Sequence, residues 1–494
     1  MDRVVTNTLL VETVTADTTA ELRQRRDRVA DADLVELRLD TVRDPSVPGA
    51  LAGRRRPVIV TCRPTWEGGH FTGSEDERRR LLTEAHTLGA EYVDVEWRAR
   101  FDDLVARGGG RRVILSAHDF GGVPDDLAAR VQAMRATGAE VVKVAAATTR
   151  LSDCIPLLNV GAQAGRGGGL VLIGLGDTGI ATRILARRFG SMWTYAGDQQ
   201  HVGQLTPAAL LDEYRFRHQS DATSVYGLVG QPIAHSVSPA MHNAAFAAAR
   251  LDAVYLPFAA ADADDFMAFA GALGVKGASV TVPYKVALFD RVHEVYPVAR
   301  RIGAINTIRM DDGRWVGSNT DATGFLEPLA ARMPLAGARA AVVGGGGAAR
   351  AVAVALASSG AAVTVHARRR EQADEVAVIV GAQAGAWPPP AGSWDLLVNC
   401  TTVGMHPRVD DTVLAAGALS GRVVYDLVYN PPITRLLREA AHAGCQTIGG
   451  LEMLVGQAHE QFYWWTGARP KAGVMREAAL RRLAEFIRDE DHVI

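Results

Sequence analysis

Lys143 lies in the middle of "AEVVKVAAATT" (139–149), a run that reads as a buried strand. A lone ammonium among valines and alanines is unfavourable unless it is paired or neutral. A neutral lysine amine can condense with a ketone. The residues around that run are of types that would complete such chemistry. "SAHDF" places His118 at the tip of another strand, where an imidazole can shuttle protons near neutral pH. "PTWEGG" supplies Glu67, able to orient that histidine. "DLVELRLD" (33–40) carries Glu36, Arg38 and Asp40 at alternating positions, hence on one strand face. Arg63 closes "PVIVTCR", Arg183 lies in "GIATRI" and Gln204 in "HVGQ". Three arginines suit an oxygen-rich anion such as a carboxylate. Each residue alone has a plainer explanation: a salt-bridged core lysine, a hydrogen-bonded histidine, a Glu36–Arg38 ion pair. Their appearance together at successive strand ends favours chemistry.

Lysine usage sharpens the point. Of 53 Lys+Arg residues only Lys143, Lys276, Lys285 and Lys471 are lysine. A chain that uses arginine wherever a positive charge suffices keeps lysine where a proton must be lost.

The second half carries a different set. "SVTVPYK" ends in Lys285 and contains Thr281; "GAINT" contains Asn306; "GSNTDATGF" contains Asp321. A Lys–Asp pair suits proton transfer at a hydroxyl while a hydride moves. "GQPIAHSVSPAMHN" offers the hydroxyls of Ser236 and Ser238 for a polyol, although either, like Asp321, could instead cap the helix that follows. In "ARAAVVGGGGAAR", Gly344, Gly346 and Ala349 fit GxGxxA between a strand and a helix, the setting of a pyrophosphate site. The next strand, "AAVTVHARRR", ends in Arg368, Arg369 and Arg370 rather than an acid. Arginines there fit a 2′-phosphate, so NADP is expected over NAD.

These residues require elements to position them. Residues 1–217 hold eight short apolar runs, at 7–13, 33–40, 57–63, 91–96, 112–119, 141–146, 169–176 and 192–197, with helix-like stretches between. Eight βα units imply a closed (β/α)₈ TIM barrel, with working residues at the C-terminal strand ends; an open doubly wound sheet is the other arrangement. "RHQSDATS" (217–224) reads as a linker. A two-lobed α/β unit follows: a substrate lobe over 225–335, a Rossmann lobe over 336–450, and C-terminal helices over 451–494 packing back on the substrate lobe.

Composition limits the partners. The net charge of −2 gives no reason to expect nucleic acid or an anionic membrane. No apolar run reaches spanning length, and the start lacks a signal-peptide layout. The four cysteines are far apart, with neither zinc spacing nor a dense disulfide framework, so no metal and a reducing cytoplasm are expected. Small-molecule substrates are the expected partners; oligomeric state is left open.

"DLVELRLD", "TCRPTWEGG", "LSAHDF", "EVVKVA" and "TRI…FGS…GQ" resemble, in order, the type I 3-dehydroquinate dehydratases. The resemblance implies a Schiff-base (β/α)₈ lyase with Lys143 forming the imine and His118 as general acid/base supported by Glu67. It further implies substrate binding by Glu36, Arg38, Arg63, Arg183 and Gln204, with Arg183 on the carboxylate. Gln200 and Val202 depart from that family's usual last loop. Residues 225–490 resemble shikimate dehydrogenase through "HSVSP", "VTVPYK", "AINT", "NTDATGF", "GGGGAAR", "VNCTTVGM", "YDLVYNPPITRLL" and "GGLEMLVGQA". That resemblance implies a Lys285–Asp321 dyad. Shikimate would be bound by Ser236, Ser238, Thr281, Asn306, Tyr429 and Gln457. NADP would be held by Gly344, Gly346, Gly347, Ala349, Arg368, Arg369, Thr401 and Gly450. Ser279 and Ala367 stand where that family often has Asn. The two halves together imply a bifunctional enzyme of the shikimate pathway, serving chorismate and aromatic amino acid biosynthesis. A catabolic quinate/shikimate dehydrogenase fused to a dehydratase, or a non-catalytic sensor built from the same domains, are the competing readings.

Overall fold

The structure is a computed structural model describing residues 8–164, 168–234 and 236–491. Residue 7 of the first expected strand, His235 of "HSVSP", and the outermost residues of the first and last expected domains lie outside the described residues. The chain divides into two compact units, Met1–Thr223 with Leu256–Gly274, and Ser224–Tyr255 with Val275–Ile494.

The first unit contains an eight-stranded parallel barrel: β1 (Leu9–Val14), β2 (Leu34–Arg38), β3 (Val58–Thr61), β4 (Tyr92–Glu96), β5 (Val113–Asp119), β6 (Val141–Ala147), β7 (Leu170–Leu175) and β8 (Trp193–Ala196). The ladder runs β7-β6-β5-β4-β3-β2-β1-β8. The remaining seam, between β7 and β8, is bridged by Met192 N–H donating to Leu170 C=O (2.8 Å) and Leu172 N–H donating to Ser191 Oγ (2.9 Å). The barrel is thus nearly rather than fully closed by its ladder.

Side-chain alternation sorts each strand. Inward-facing Val11, Leu34, Ile59, Ile114, Val141, Val171 and Trp193 form an apolar plug. The next inward positions toward the C-terminal ends are polar: Thr13, Glu36, Thr61, Asp94, Ser116 and Lys143. Plug and polar layer come from the same strands, two residues apart. Between strands, helix Glu75–Thr87 starts where Ser74 accepts the N–H of Glu77, an N-cap legible in "SEDE". The stretch read as a linker is tied down by Arg187–Asp221 (2.7 Å) and Arg217–Asp33 (3.0 Å).

Two further sheets follow along the chain. The first, ordered β10-β9-β11-β13-β14-β12, comprises β9 (Ser224–Gly230), β10 (Ala253–Ala259), β11 (Gly277–Val280), β12 (Glu294–Val295), β13 (Thr307–Asp311) and β14 (Arg314–Ser318). Strands β13 and β14 are an antiparallel hairpin turning at Asp312–Gly313, both with positive φ (46° and 79°). "DG" between apolar runs is the signature of such a turn. The second sheet is parallel, ordered β17-β16-β15-β18-β19-β20, from β15 (Arg339–Val343), β16 (Ala362–His366), β17 (Gln383–Ala384), β18 (Leu396–Asn399), β19 (Val423–Asp426) and β20 (Gln446–Ile448). This is the Rossmann arrangement that the glycine run predicts. Helix Gly450–Thr466 crosses helix Asp321–Ala330 at two glycines: a Cβ on Gly324 would sit 2.5 Å from the Gln457 nitrogen. No helix among the described residues is long and apolar enough to cross a membrane.

Candidate active sites

Lys143 is buried, but not among valines. Val142 and Val144 face away from the barrel axis, and Lys143 shares its face with Val141 and Ala145. Its Nζ donates to Asp94 Oδ2 at 3.1 Å, lies 3.9 Å from Glu36 Oε1, and sits 4.4 Å from the centre of the Tyr195 ring. The apolar neighbours in the sequence belong to the other face. Two carboxylates and an aromatic face offset the desolvation that a buried ammonium incurs.

Asp94 is the hub. Beyond Lys143 it takes Arg63 (2.9 Å) and the Ser116 hydroxyl (2.5 Å). Burial opposes its ionisation, yet the adjacent Arg63 and Lys143 cations hold it well below the usual carboxylate range. Arg63 also bonds Glu96 (2.7 Å) and Ser116 (2.8 Å), and Glu96 is shared with the fully buried Arg78. Asp94, Glu96, Ser116 and Arg78 are absent from the sequence-derived set. "YVDVE" carries the signal: two acids alternating with valines in a strand, the same pattern that exposes Glu36 and Arg38.

His118 stands two residues beyond Ser116 on β5, and the register pairs Ser116 with Lys143 and His118 with Ala145. It therefore lies diagonally across from the lysine on the same face. Its Nδ1 is 3.2 Å from Glu67 Oε1, which also accepts the His118 backbone N–H at 2.8 Å. Burial, with Arg63 and Lys143 nearby, drives its pKa well below the ordinary imidazole value, so the ring stays neutral. Burial raises Glu67 to about 7, against the opposing pull of Arg63.

The remaining barrel residues divide by partner. Glu36 accepts the hydroxyls of Thr13 (2.9 Å) and Thr61 (2.8 Å). Arg38 is forked onto Asp40 through Nε and Nη2 (2.9 and 2.7 Å), which leaves the outer Nη2 N–H and both Nη1 N–H groups as further donors. The ion pair is thus Arg38–Asp40, not Arg38–Glu36. Among the described residues Arg183 has no carboxylate partner: its donors reach the carbonyls of Tyr195 (3.5 Å) and Val202 (2.9 Å), and its Nε has no partner there. Burial alone lowers it to about 10. Gln204 is nearly buried, with Oε1 accepting Gln199 N–H at 3.2 Å. A separate groove of about 760 Å³ on the same unit is lined by Asp40, His70, Arg43 and Gln199, beside this cluster rather than over Lys143.

In the second unit, Lys285 opens off the short helix Tyr284–Ala287 and its Nζ meets Asp321 Oδ2 at 2.5 Å. Asp321 is the first residue of its helix; Thr320 occupies the cap position, its hydroxyl turned to Asn306 rather than to the helix N–H groups, so Asp321 does not serve as the cap. Asn306 Nδ2 donates to the other oxygen of Asp321 (2.7 Å) and to Gln457 Oε1 (3.2 Å), joining three of the expected residues. Ser236 Oγ accepts Ser238 N–H (3.2 Å) and also bonds Tyr429, whose hydroxyl is raised chiefly by burial. Val237 holds the cap position of helix Ser238–Ala248, and Ser236 caps it from one residue before by taking the first N–H of the helix. Thr281 follows β11, its methyl filling the space where a Cβ on Gly230 would be.

The glycine turn fits a dinucleotide. Gly344 has φ 130°, Gly346 is the cap residue of helix Gly347–Ser358, and a Cβ on Gly346 would meet nothing within 4 Å. That open cradle at a helix N-terminus suits a pyrophosphate. Gly347 packs on the Lys285 stem, a Cβ there lying 3.2 Å from Lys285 Cδ, so the cradle and the dyad adjoin. Ala349 is buried in the lobe core. Arg368 and Arg369 are exposed and have no side-chain bond or ion pair among the described residues, whereas Arg370 pairs with Asp374 (3.1 Å). Thr401 is fixed by Asn399 (2.7 Å), which in turn bonds Asp426 (2.9 Å). Gly450 is pressed on the chain after β19: a Cβ would lie 2.2 Å from Leu427 O. The position therefore admits no side chain. Among the described residues no group of three acids, histidines or cysteines is placed to hold a metal.

Comparison with known proteins accounts for both constellations in one chain. The bifunctional 3-dehydroquinate dehydratase/shikimate dehydrogenase of Arabidopsis thaliana, a chloroplastic protein, is 34% identical over 475 residues, covering 88% of this chain and 78% of its own. The chain belongs to this bifunctional family. Residues 11–221 match the family model for type I 3-dehydroquinase, 228–308 that for the shikimate dehydrogenase substrate binding domain, and 450–480 that for the shikimate 5′-dehydrogenase C-terminal domain. The dehydrogenase half is also similar to the shikimate dehydrogenase (NADP(+)) of Moorella thermoacetica, 46% identical over 273 residues, covering 51% of this chain and 92% of that one. A crystal structure of shikimate dehydrogenase in complex with NADP+ superposes with a TM-score of 0.51 at 34% identity, covering 54% of this chain and 97% of the other.

Proposed function

We propose that the chain dehydrates 3-dehydroquinate to 3-dehydroshikimate in its barrel and reduces 3-dehydroshikimate to shikimate with NADPH in its second unit. What carries the first assignment is the combination of a buried lysine, a histidine held neutral, and an arginine with no counter-charge. Arg183 receives the substrate carboxylate. The Lys143 ammonium first passes a proton to the neutral His118; the resulting amine adds to the ketone carbon, and the same proton goes to the carbinolamine hydroxyl, which leaves as water to give the protonated imine. His118 takes a proton from the neighbouring carbon through Nε2, because Nδ1 faces Glu67. The electron pair left behind forms the new double bond as the hydroxyl departs, protonated by the same imidazole. Hydrolysis of the imine frees Lys143, so one water is lost overall.

For the second step, bound NADPH supplies the hydride. Lys285, held against Asp321, stands beside the glycine cradle and gives a proton to the developing alkoxide. Asn306, Gln457, Ser236, Ser238, Thr281 and Tyr429 offer amides and hydroxyls to a polyol. Arg368 and Arg369 hold the 2′-phosphate. The substrate lobe spans about residues 225–335 and the NADP lobe about 336–450, and the protein works in the cytoplasm.

Purified protein supplied with dehydroquinate and NADPH should form shikimate and oxidise NADPH. Borohydride with dehydroquinate should leave a covalent adduct on Lys143, absent in Lys143→Ala. Failure of turnover at either step would sink the assignment for that unit.

A further inference from the structure

Behind the dehydrogenase dyad runs a chain of buried hydrogen bonds that none of the assigned roles uses. The Tyr255 hydroxyl donates to Ser279 Oγ at 2.7 Å; Ser279 Oγ donates to Gln461 Oε1 at 2.7 Å; Gln461 Nε2 donates to the Asn306 backbone carbonyl at 3.1 Å. The Asn306 side chain then donates to Asp321, which holds Lys285. Every member before Lys285 is buried. The polarity of the chain is forced. A flipped Gln461 amide would set its oxygen against the Asn306 carbonyl, and a flipped Asn306 would lose the Thr320 N–H bond to its Oδ1 (2.8 Å).

The surroundings are aromatic. The Tyr255 ring stacks on His242 (4.4 Å between centres), and Phe246, Phe462 and Trp465 pack nearby. Buried polar groups in such a place are retained at a cost unless each is satisfied, and a fully satisfied network fixes one geometry. Gln461 lies one helical turn beyond Gln457, so a single helix presents both amides to Asn306: Gln457 to its side chain, Gln461 to its backbone.

We propose that Gln461, oriented by Ser279 and Tyr255, is a positioning residue for the dehydrogenase step. It pins the Asn306 backbone so that the Asn306 amide holds Asp321 in register with Lys285. The inference rests on the Lys285–Asp321 pair being the dehydrogenase dyad. Ser279 is what suits this chain to the arrangement: its small hydroxyl spans one donor and one acceptor between Tyr255 and Gln461.

The full chain tests it, with dehydratase turnover measured on the same sample. Gln461→Leu should lower the dehydrogenase kcat on the order of 10- to 100-fold, with the NADPH KM and dehydratase turnover staying within about twofold of the parent. Tyr255→Phe should lower kcat less, and should add nothing in the Gln461→Leu background, because both act through one contact. A kcat within about twofold of the parent in Gln461→Leu, or independent multiplicative effects of the two changes, would overturn the proposal. If Gln461→Leu does not fold, Ser279→Ala and Tyr255→Phe serve instead, and unchanged kcat in both overturns it. Lys285→Ala run in parallel separates the two ideas. Retained kcat there refutes the dyad itself; lost kcat there, with Gln461→Leu active, refutes only the positioning role.

Discussion

Arg183 carries a buried positive charge that no carboxylate among the described residues answers. Removing an unpaired buried charge relieves desolvation in the free protein, while removing its partner in a complex costs about 2–5 kcal/mol. Arg183→Met should therefore lower the dehydratase kcat/KM by roughly 30- to 5,000-fold while leaving the melting temperature unchanged or raised. A melting point lowered in step with the activity would mean that Arg183 is structural. Glu67 yields a prediction in pH. Its pKa of about 7 means that the carboxylate facing His118 Nδ1 forms as pH rises through neutrality. The ionised form draws on Nδ1–H and makes Nε2 the stronger base, so the dehydratase rate should rise across that range. Glu67→Gln should abolish the inflection in the pH–rate profile. Folding stability takes the opposite sign. Between the ordinary carboxylate value of 4.5 and about 7 the folded state holds more protons on Glu67 than the unfolded chain, so this group's contribution falls as pH rises there.

At the scale of elements, two glycines at helix starts do different work. Gly346 faces open space and needs no left-handed backbone, its φ being −93°. Gly346→Ala should leave unfolding by denaturant unchanged and raise the NADPH KM at least about tenfold, because the added methyl lies where the pyrophosphate must approach. Gly450 has no such space beside Leu427 O. Gly450→Ala should destabilise the second unit by about 1–3 kcal/mol in denaturant unfolding. Equal effects of the two changes on stability would mean that the cradle is packing rather than a binding surface. The elements themselves were legible from local pattern: all eight barrel strands lie where alternating or continuous apolar runs place them, within the usual uncertainty at element ends. Strand β14 escaped because "RWVGS" is short and carries little apolar weight, although the Asp312–Gly313 turn beside it announces a hairpin.

At the scale of the whole molecule, two chemistries share one chain and each unit holds a lysine paired with an aspartate. Lys143→Ala should retain reduction of 3-dehydroshikimate, and Lys285→Ala should retain dehydration and accumulate 3-dehydroshikimate. Mixed in equal amounts with dehydroquinate and NADPH, the two variants should form shikimate after a lag, read as NADPH absorbance. No shikimate from the mixture would mean that the second site does not take its substrate from solution.

By itself the sequence determined the fold class and the cofactor preference, and it supplied the candidates for the reacting groups. Each of these is written in short-range pattern: period-two alternation in strands, glycines between a strand and a helix, arginines where an acid would select NAD, lysines in a chain that otherwise uses arginine. Tertiary structure alone decided which charges answer one another. Lys143 looked isolated because its sequence neighbours point to the opposite face, and its partner Asp94 is 49 residues away on β4. Arg38 was spoken for by Asp40, Arg63 by Asp94 and Glu96, and Arg183 by no carboxylate among the described residues, although all three arginines looked alike in the chain. Pairing depends on strand register and side-chain reach inside the barrel, and a distance of about 3 Å in a low-dielectric interior sets both the sign and the size of each interaction.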